Sequence, residues 1–109
     1  MKRNPLEAAT SKSFRAALVA RWPGAWLYKI PDTAGLGGMR PFDCIAIIDG
    51  VTFCIEFKRG STSKATEYQR YSLDLAEANG AISLIVNQTN RCQTLKTMEE
   101  AIANGKHRR

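Results

Sequence analysis

Histidine is nearly missing from this chain: His107, in a basic C-terminal tail, is the only one among 109 residues. Catalysis by Ser-His or Cys-His pairs, and histidine zinc sites, therefore lack their central residue. Cysteine is scarce as well. Cys44, Cys54 and Cys92 are too widely spaced for a zinc knuckle and too few for a disulfide framework, so buried thiols are expected. No stretch approaches the roughly 20 apolar residues a membrane span needs. Met1-Lys2-Arg3-Asn4-Pro5 leads into polar sequence instead of a signal-peptide core, which points to the cytosol. No internal repeat is visible, and the glycines from Gly35 to Gly38 do not open a helix, which excludes a dinucleotide or phosphate loop.

What remains is ordinary globular material, 44% apolar and 24% charged, far from the composition of disordered chains. The length suits a single domain, 1–109, and is too short for two cores. A formal charge of +6 points to a polyanionic partner, nucleic acid first, because a basic surface gains affinity by releasing counterions from phosphates. Lys29, Arg40, Arg59, Lys64 and Arg70 are the candidate DNA contacts. Lys2, Arg3, Lys106, Arg108 and Arg109 read as solvated ends.

Asn4, Pro5 and Glu7 fit the cap, first and third positions of a helix. Phe14, Ala17, Leu18 and Trp22 continue it at helical spacing, until Pro23-Gly24 stops it. Ala25 to Ile30 is an aromatic-rich strand. Pro31 to Pro41, rich in glycine, is expected to be a mobile functional loop. Phe42–Ile48 and Val51–Lys58 are strands joined by Asp49-Gly50, the signature of a two-residue hairpin. Phe42, Cys44, Ile48, Val51, Phe53, Ile55 and Phe57 fall on one face and Ile45, Ile47 and Cys54 on the other, as in a sheet covered by helices on both sides. Tyr68, Tyr71, Ser72, Leu75 and Ala78 then recur at helical spacing up to Asn79-Gly80, and their aromatics are expected in the core. Ile82–Val86 is a further strand. An appendix follows, with a strand at 92–95, a short helix capped by Thr97 and Glu100 that ends at Gly105, and a basic tail at 106–109.

A two-residue hairpin loop pairs residues whose numbers sum to 99, which sets Ile48 against Val51, Ile45 against Cys54, and Asp43 against Glu56. Lys58, two positions on from Glu56, shares its face. Cys44 and Cys54 fall on opposite faces and cannot bridge. Opposed carboxylates repel, and a hard divalent cation such as magnesium or manganese turns that repulsion into a binding site with positions left for water and phosphate. Lys58 adds positive charge where a phosphodiester would react. This is the logic of metal-assisted phosphodiester hydrolysis. A solvated ion pair is the plainer alternative, but the neighbours Ile45, Ile47 and Cys54 are apolar.

Pro41-Phe42-Asp43, the hairpin and Glu56-Phe57-Lys58 together resemble the PD-(D/E)xK nuclease superfamily over about residues 5–87. The resemblance implies an α/β, restriction-endonuclease-like αβββαβ core with a mixed central sheet flanked by helices. Ile30 to Gly38 followed by the Asp43 strand is similar to the archaeal-type Holliday junction resolvases. Thr66 to Gln69 with Ala78-Asn79-Gly80-Ala81 is similar to the VRR-NUC branch. The resemblance carries Asp43, Glu56 and Lys58 over as catalytic residues, joined by Gln69 and Glu7, with Asp43, Glu56 and Glu7 as metal ligands. Phe42 separates Pro41 from Asp43 where many members have Pro and Asp adjacent. Pro31-Asp32 lies off the hairpin and is not assigned to the metal. The implied function is a magnesium- or manganese-dependent endonuclease on branched DNA, a Holliday junction resolvase acting as a homodimer. The alternatives are a nuclease for flap, nicked or single-stranded DNA, and a non-cleaving DNA-binding subunit of a repair assembly.

Overall fold

The computed structural model describes residues 5–31, 40–58 and 66–107 of the chain, with side chains from residue 8 through 105 of those. Seven elements follow in order: α1 (Pro5–Arg21), β1 (Trp26–Lys29), β2 (Cys44–Ile48), β3 (Val51–Phe57), α2 (Glu67–Ala78), β4 (Ile82–Val86) and α3 (Arg91–His107). The strands form one sheet in the order β1-β2-β3-β4, antiparallel except for the parallel β3/β4 pair. This is the expected α/β architecture with a mixed central sheet. The glycine-rich stretch at 32–39, and with it Asp32, lies outside the described residues.

The β2–β3 turn explains the register. Asp49 (φ 50°) and Gly50 (φ 82°) both occupy left-handed backbone, as the two-residue turn matched to strand twist requires. Ile48 then pairs with Val51, Ile45 with Cys54 and Cys44 with Ile55. The regular ladder ends there, so β2 is two residues shorter than expected. The Asp43 amide donates to Ile55 O at 2.9 Å, a step out of register of the kind a β-bulge makes. One consequence is a correction: Phe42 does not join Cys44 but packs with Cys54 and Leu73 on the other face.

Two cores result. Phe14 and Leu18 of α1 and Met98 and Ile102 of α3 cover Cys44, Ala46, Ile48, Phe53, Ile55, Phe57 and Val86. Phe14 meets Phe57 edge-on, with ring centroids 5.8 Å apart. Ala17, expected on this buried stripe, faces solvent. On the second face Leu73 of α2 seals Phe42 and Cys54. Tyr68, Tyr71 and Leu75, expected to be core, are instead 39%, 65% and 50% exposed. The inward stripe of α2 is Gln69, Leu73 and Ala76, spaced i, i+4, i+7. Gln69 bonds to Glu56 and Lys58 on this stripe and Leu73 packs on Phe42 and Cys54, while the tyrosines face outward.

The appendix also differs from expectation. No strand forms at 92–95, because α3 runs through it. Asn87 Oδ1 accepts the amides of Thr89 and Asn90, and Asn90 Oδ1 accepts that of Asn87, which folds the turn into the helix. Thr94, Met98 and Ile102 are buried at i, i+4, i+8, a helical period that four residues cannot distinguish from strand alternation. Gly105 lies within the helix: a Cβ there would sit 2.7 Å from Val51 Cγ2, so glycine permits close approach of α3 to the hairpin. Cys92 is exposed on α3, so only Cys44 and Cys54 are buried thiols.

Candidate active site

Asp43 and Glu56 are each 3% exposed, an unusual place for two carboxylates unless each is satisfied. Asp43 sits at the bulge that opens β2, where its Oδ2 accepts the Phe57 amide at 2.7 Å. Its Oδ1 lies 3.0 Å from Nη2 of Arg40. Glu56 stands in β3, and Lys58 follows the strand, fixed by its own amide bond to Val86 O at 2.8 Å. The Lys58 ammonium is 3.1 Å from Glu56 Oε2.

The first turn of α2 completes the cluster. Thr66 caps the helix: its hydroxyl accepts the Gln69 amide, and Gln69 Oε1 accepts the Thr66 amide at 3.0 Å. The same Oε1 accepts from Lys58 Nζ at 3.2 Å, and Gln69 Nε2 donates to Glu56 Oε2 at 2.8 Å. One capping glutamine thus holds both the acid and the base of the Glu-Phe-Lys triplet.

Burial pushes Glu56 up to about 7. The neighbouring Asp43 charge acts in the same direction, while Lys58 pulls back by charge and hydrogen bond. A hydrogen bond from the protonated Glu56 carboxyl to the Asp43 carboxylate adds to the rise, so the two groups lie within bonding reach of each other. They are not, however, paired in the strand ladder as the register predicted: the bulge carries Asp43 off the ladder, and its side chain returns to the Glu56 side. Glu56 Oε1 is buried with no hydrogen-bond partner among the described residues. An orphaned carboxylate oxygen beside a second carboxylate is what a hard cation satisfies, so the residues present fit magnesium or manganese. No group of three candidate metal-ligating residues occurs among the described residues, and a magnesium ion held by one or two carboxylates is ordinary.

The remaining expected residues separate. Gln69, Asp43, Glu56 and Lys58 are brought together. Glu7 lies in the first turns of α1, but its side chain falls outside the described residues, as do Arg59 and Lys64. Lys29 and Arg70 are exposed on β1 and α2. Arg40, expected as a DNA contact, pairs with Asp43 in this structure. The i, i+3 spacing of Arg40 and Asp43 is the one sequence hint of that pairing. The Gln69 contact was readable as Thr66-x-x-Gln69, a capping box.

No protein-family profile matches the sequence, and no curated protein matches it. Among solved structures, one described as a VRR_NUC domain superposes with a TM-score of 0.68 at 19% identity, over 86% of this chain and 97% of that one. Another, described as a VRR_NUC domain protein, superposes with a TM-score of 0.62 at 14% identity, over 89% of each chain. The fold of this chain is that of the VRR_NUC domains.

Proposed function

We propose that this protein is a divalent-cation-dependent endonuclease that hydrolyses phosphodiester bonds in branched DNA, with four-way (Holliday) junctions as the foremost substrate. The observation that carries the reading is the buried Asp43/Glu56 pair, with Glu56 Oε1 unpartnered among the described residues and the Lys58 ammonium 3.1 Å from the same carboxylate. The VRR_NUC fold supports it.

Asp43 and Glu56 would hold magnesium or manganese, with Glu7 as a further ligand. The ion would supply Lewis acidity toward a phosphoryl oxygen and toward water. The chain's own residues do the rest. Asp43 is oriented by the Phe57 amide. Lys58, 12% exposed and anchored by Gln69, presents positive charge to the reacting phosphate, where charge builds in the transition state. Gln69 is a positioning residue that holds Glu56 and Lys58 in register. Lys29, Arg59, Lys64 and Arg70 contact the DNA backbone, whose charge rewards a +6 chain.

A homodimer fits a two-fold junction, because one small domain cannot address two strands at once. Exposed apolar groups support it. Trp26 and Tyr28 stack on β1 beside Ile47, on the side of the sheet that carries α2, and Tyr68, Tyr71 and Leu75 are exposed on α2 itself.

The test is a gel assay on synthetic four-way junction, flap, single-stranded and duplex DNA, with magnesium or with chelator, for the wild type and Lys58→Ala. The expected result is magnesium-dependent junction cleavage that Lys58→Ala loses by at least about 100-fold while it still binds DNA. Junction binding without cleavage of any substrate would refute the enzyme and favour a non-cleaving DNA-binding subunit.

A further inference from the structure

We propose that Arg40 is a counter-ion to the acidic pair that a divalent cation displaces, and that the released guanidinium then grips a phosphate of the substrate. The inference rests on the nuclease reading above and adds to it a coupling between metal loading and substrate recognition.

The geometry points to exchange. Asp43 offers Oδ2 to the Phe57 amide at 2.7 Å, and the oxygen opposite, Oδ1, lies 3.0 Å from Arg40 Nη2. That carboxylate is one of the groups that would hold the cation, so guanidinium and metal compete for it. Among the described residues two cationic side chains face the pair, Lys58 and Arg40. They are held differently. Lys58 is bonded to both Glu56 and Gln69, at 3.1 and 3.2 Å, and its side chain is 12% exposed. Among the described residues Arg40 has Asp43 itself and one long bond from Nη1 to Ile30 O at 3.4 Å, near the limit for a hydrogen bond. Its side chain is 19% exposed, so one edge already reaches solvent.

Adding two positive charges to a site that already holds two cations must weaken the hold on one of them, and Arg40 is the less anchored. Coupling of this kind is reciprocal: whatever Arg40 gains from Asp43, the metal must overcome. Once released, the planar fork suits two phosphate oxygens at once, which a lysine does not match. The arginine thus shields the carboxylates before loading and serves the substrate after it.

The experiment is isothermal titration of the full chain with manganese chloride, for wild type, Arg40→Gln and Arg40→Lys, together with anisotropy of a labelled four-way junction in chelator and in calcium. Arg40→Gln is expected to bind manganese on the order of tenfold more tightly than wild type, with Arg40→Lys between the two. Calcium should raise junction affinity in the wild type and much less in Arg40→Gln. If Arg40→Gln does not fold, Arg40→Lys and the wild type still give the comparison in both measurements. Manganese binding by the wild type with equal or weaker binding by the variants would overturn the role of Arg40 and leave the nuclease reading standing. No manganese binding by any of them would instead refute the metal site itself, and the exchange with it.

Discussion

Replacing Glu56 by glutamine should make the cation-free protein more stable at alkaline pH. Glu56 is raised from an ordinary value of 4.5 to about 7, chiefly by burial and then by the Asp43 charge. A raised carboxyl group favours the protonated form in the fold. Its stabilising contribution is complete below about pH 4.5 and is lost as pH rises through 7. That rise corresponds to an upper bound of about 3 kcal/mol. Glutamine imitates the protonated acid in shape and charge. Its carbonyl can accept from Lys58 and Gln69, and its amide can donate toward Asp43. In chelator, urea denaturation should therefore find Glu56→Gln more stable than wild type by roughly 2 kcal/mol at pH 8, with the gap closing toward pH 5. Magnesium should then stabilise the wild type at pH 8, by about 2.7 kcal/mol at a hundredfold excess over Kd, and leave the variant unmoved. The same variant should bind DNA and cleave none. Parallel pH profiles for the two proteins, or a variant that is less stable at pH 8, would refute this account of the buried carboxylate.

Two further outcomes follow from contacts already described. Gln69→Ala removes half of the capping box and the link to Lys58 and Glu56; it should cost about 1–2 kcal/mol in denaturant titrations and lower kcat more than it raises KM, whereas unchanged kcat would reduce Gln69 to a cap. Gly105→Ala gains up to about 1 kcal/mol in helix propensity but places a Cβ 2.7 Å from Val51 Cγ2, an overpacking worth about 1–3 kcal/mol. A net loss is expected by thermal denaturation, and Val51→Ala in the same chain should recover most of it.

The sequence by itself determined the parts whose causes are local. Asp49-Gly50 dictates a two-residue turn, the turn dictates that paired residues sum to 99, and Ile48/Val51 through Cys44/Ile55 obey it. Pro5 opens α1 and Asn79-Gly80 closes α2 for reasons contained in a few neighbouring residues. Glu56 and Lys58 were legible because alternation in a strand places them on one face. Only the tertiary structure decided the rest. The bulge at Asp43 moved Phe42 to the opposite core, since backbone pairing is settled by both strands together and not by the pattern of one. The rotation of α2 follows the joint fit of Gln69 to Glu56 and Lys58 and of Leu73 to Phe42 and Cys54, against a tyrosine stripe that suggested another face. Likewise Arg40 lies on Asp43, and Gly105 admits α3 to Val51, through contacts between separate segments. Those pairings depend on where the packed elements bring the chain, which hydrophobic period and turn chemistry do not encode.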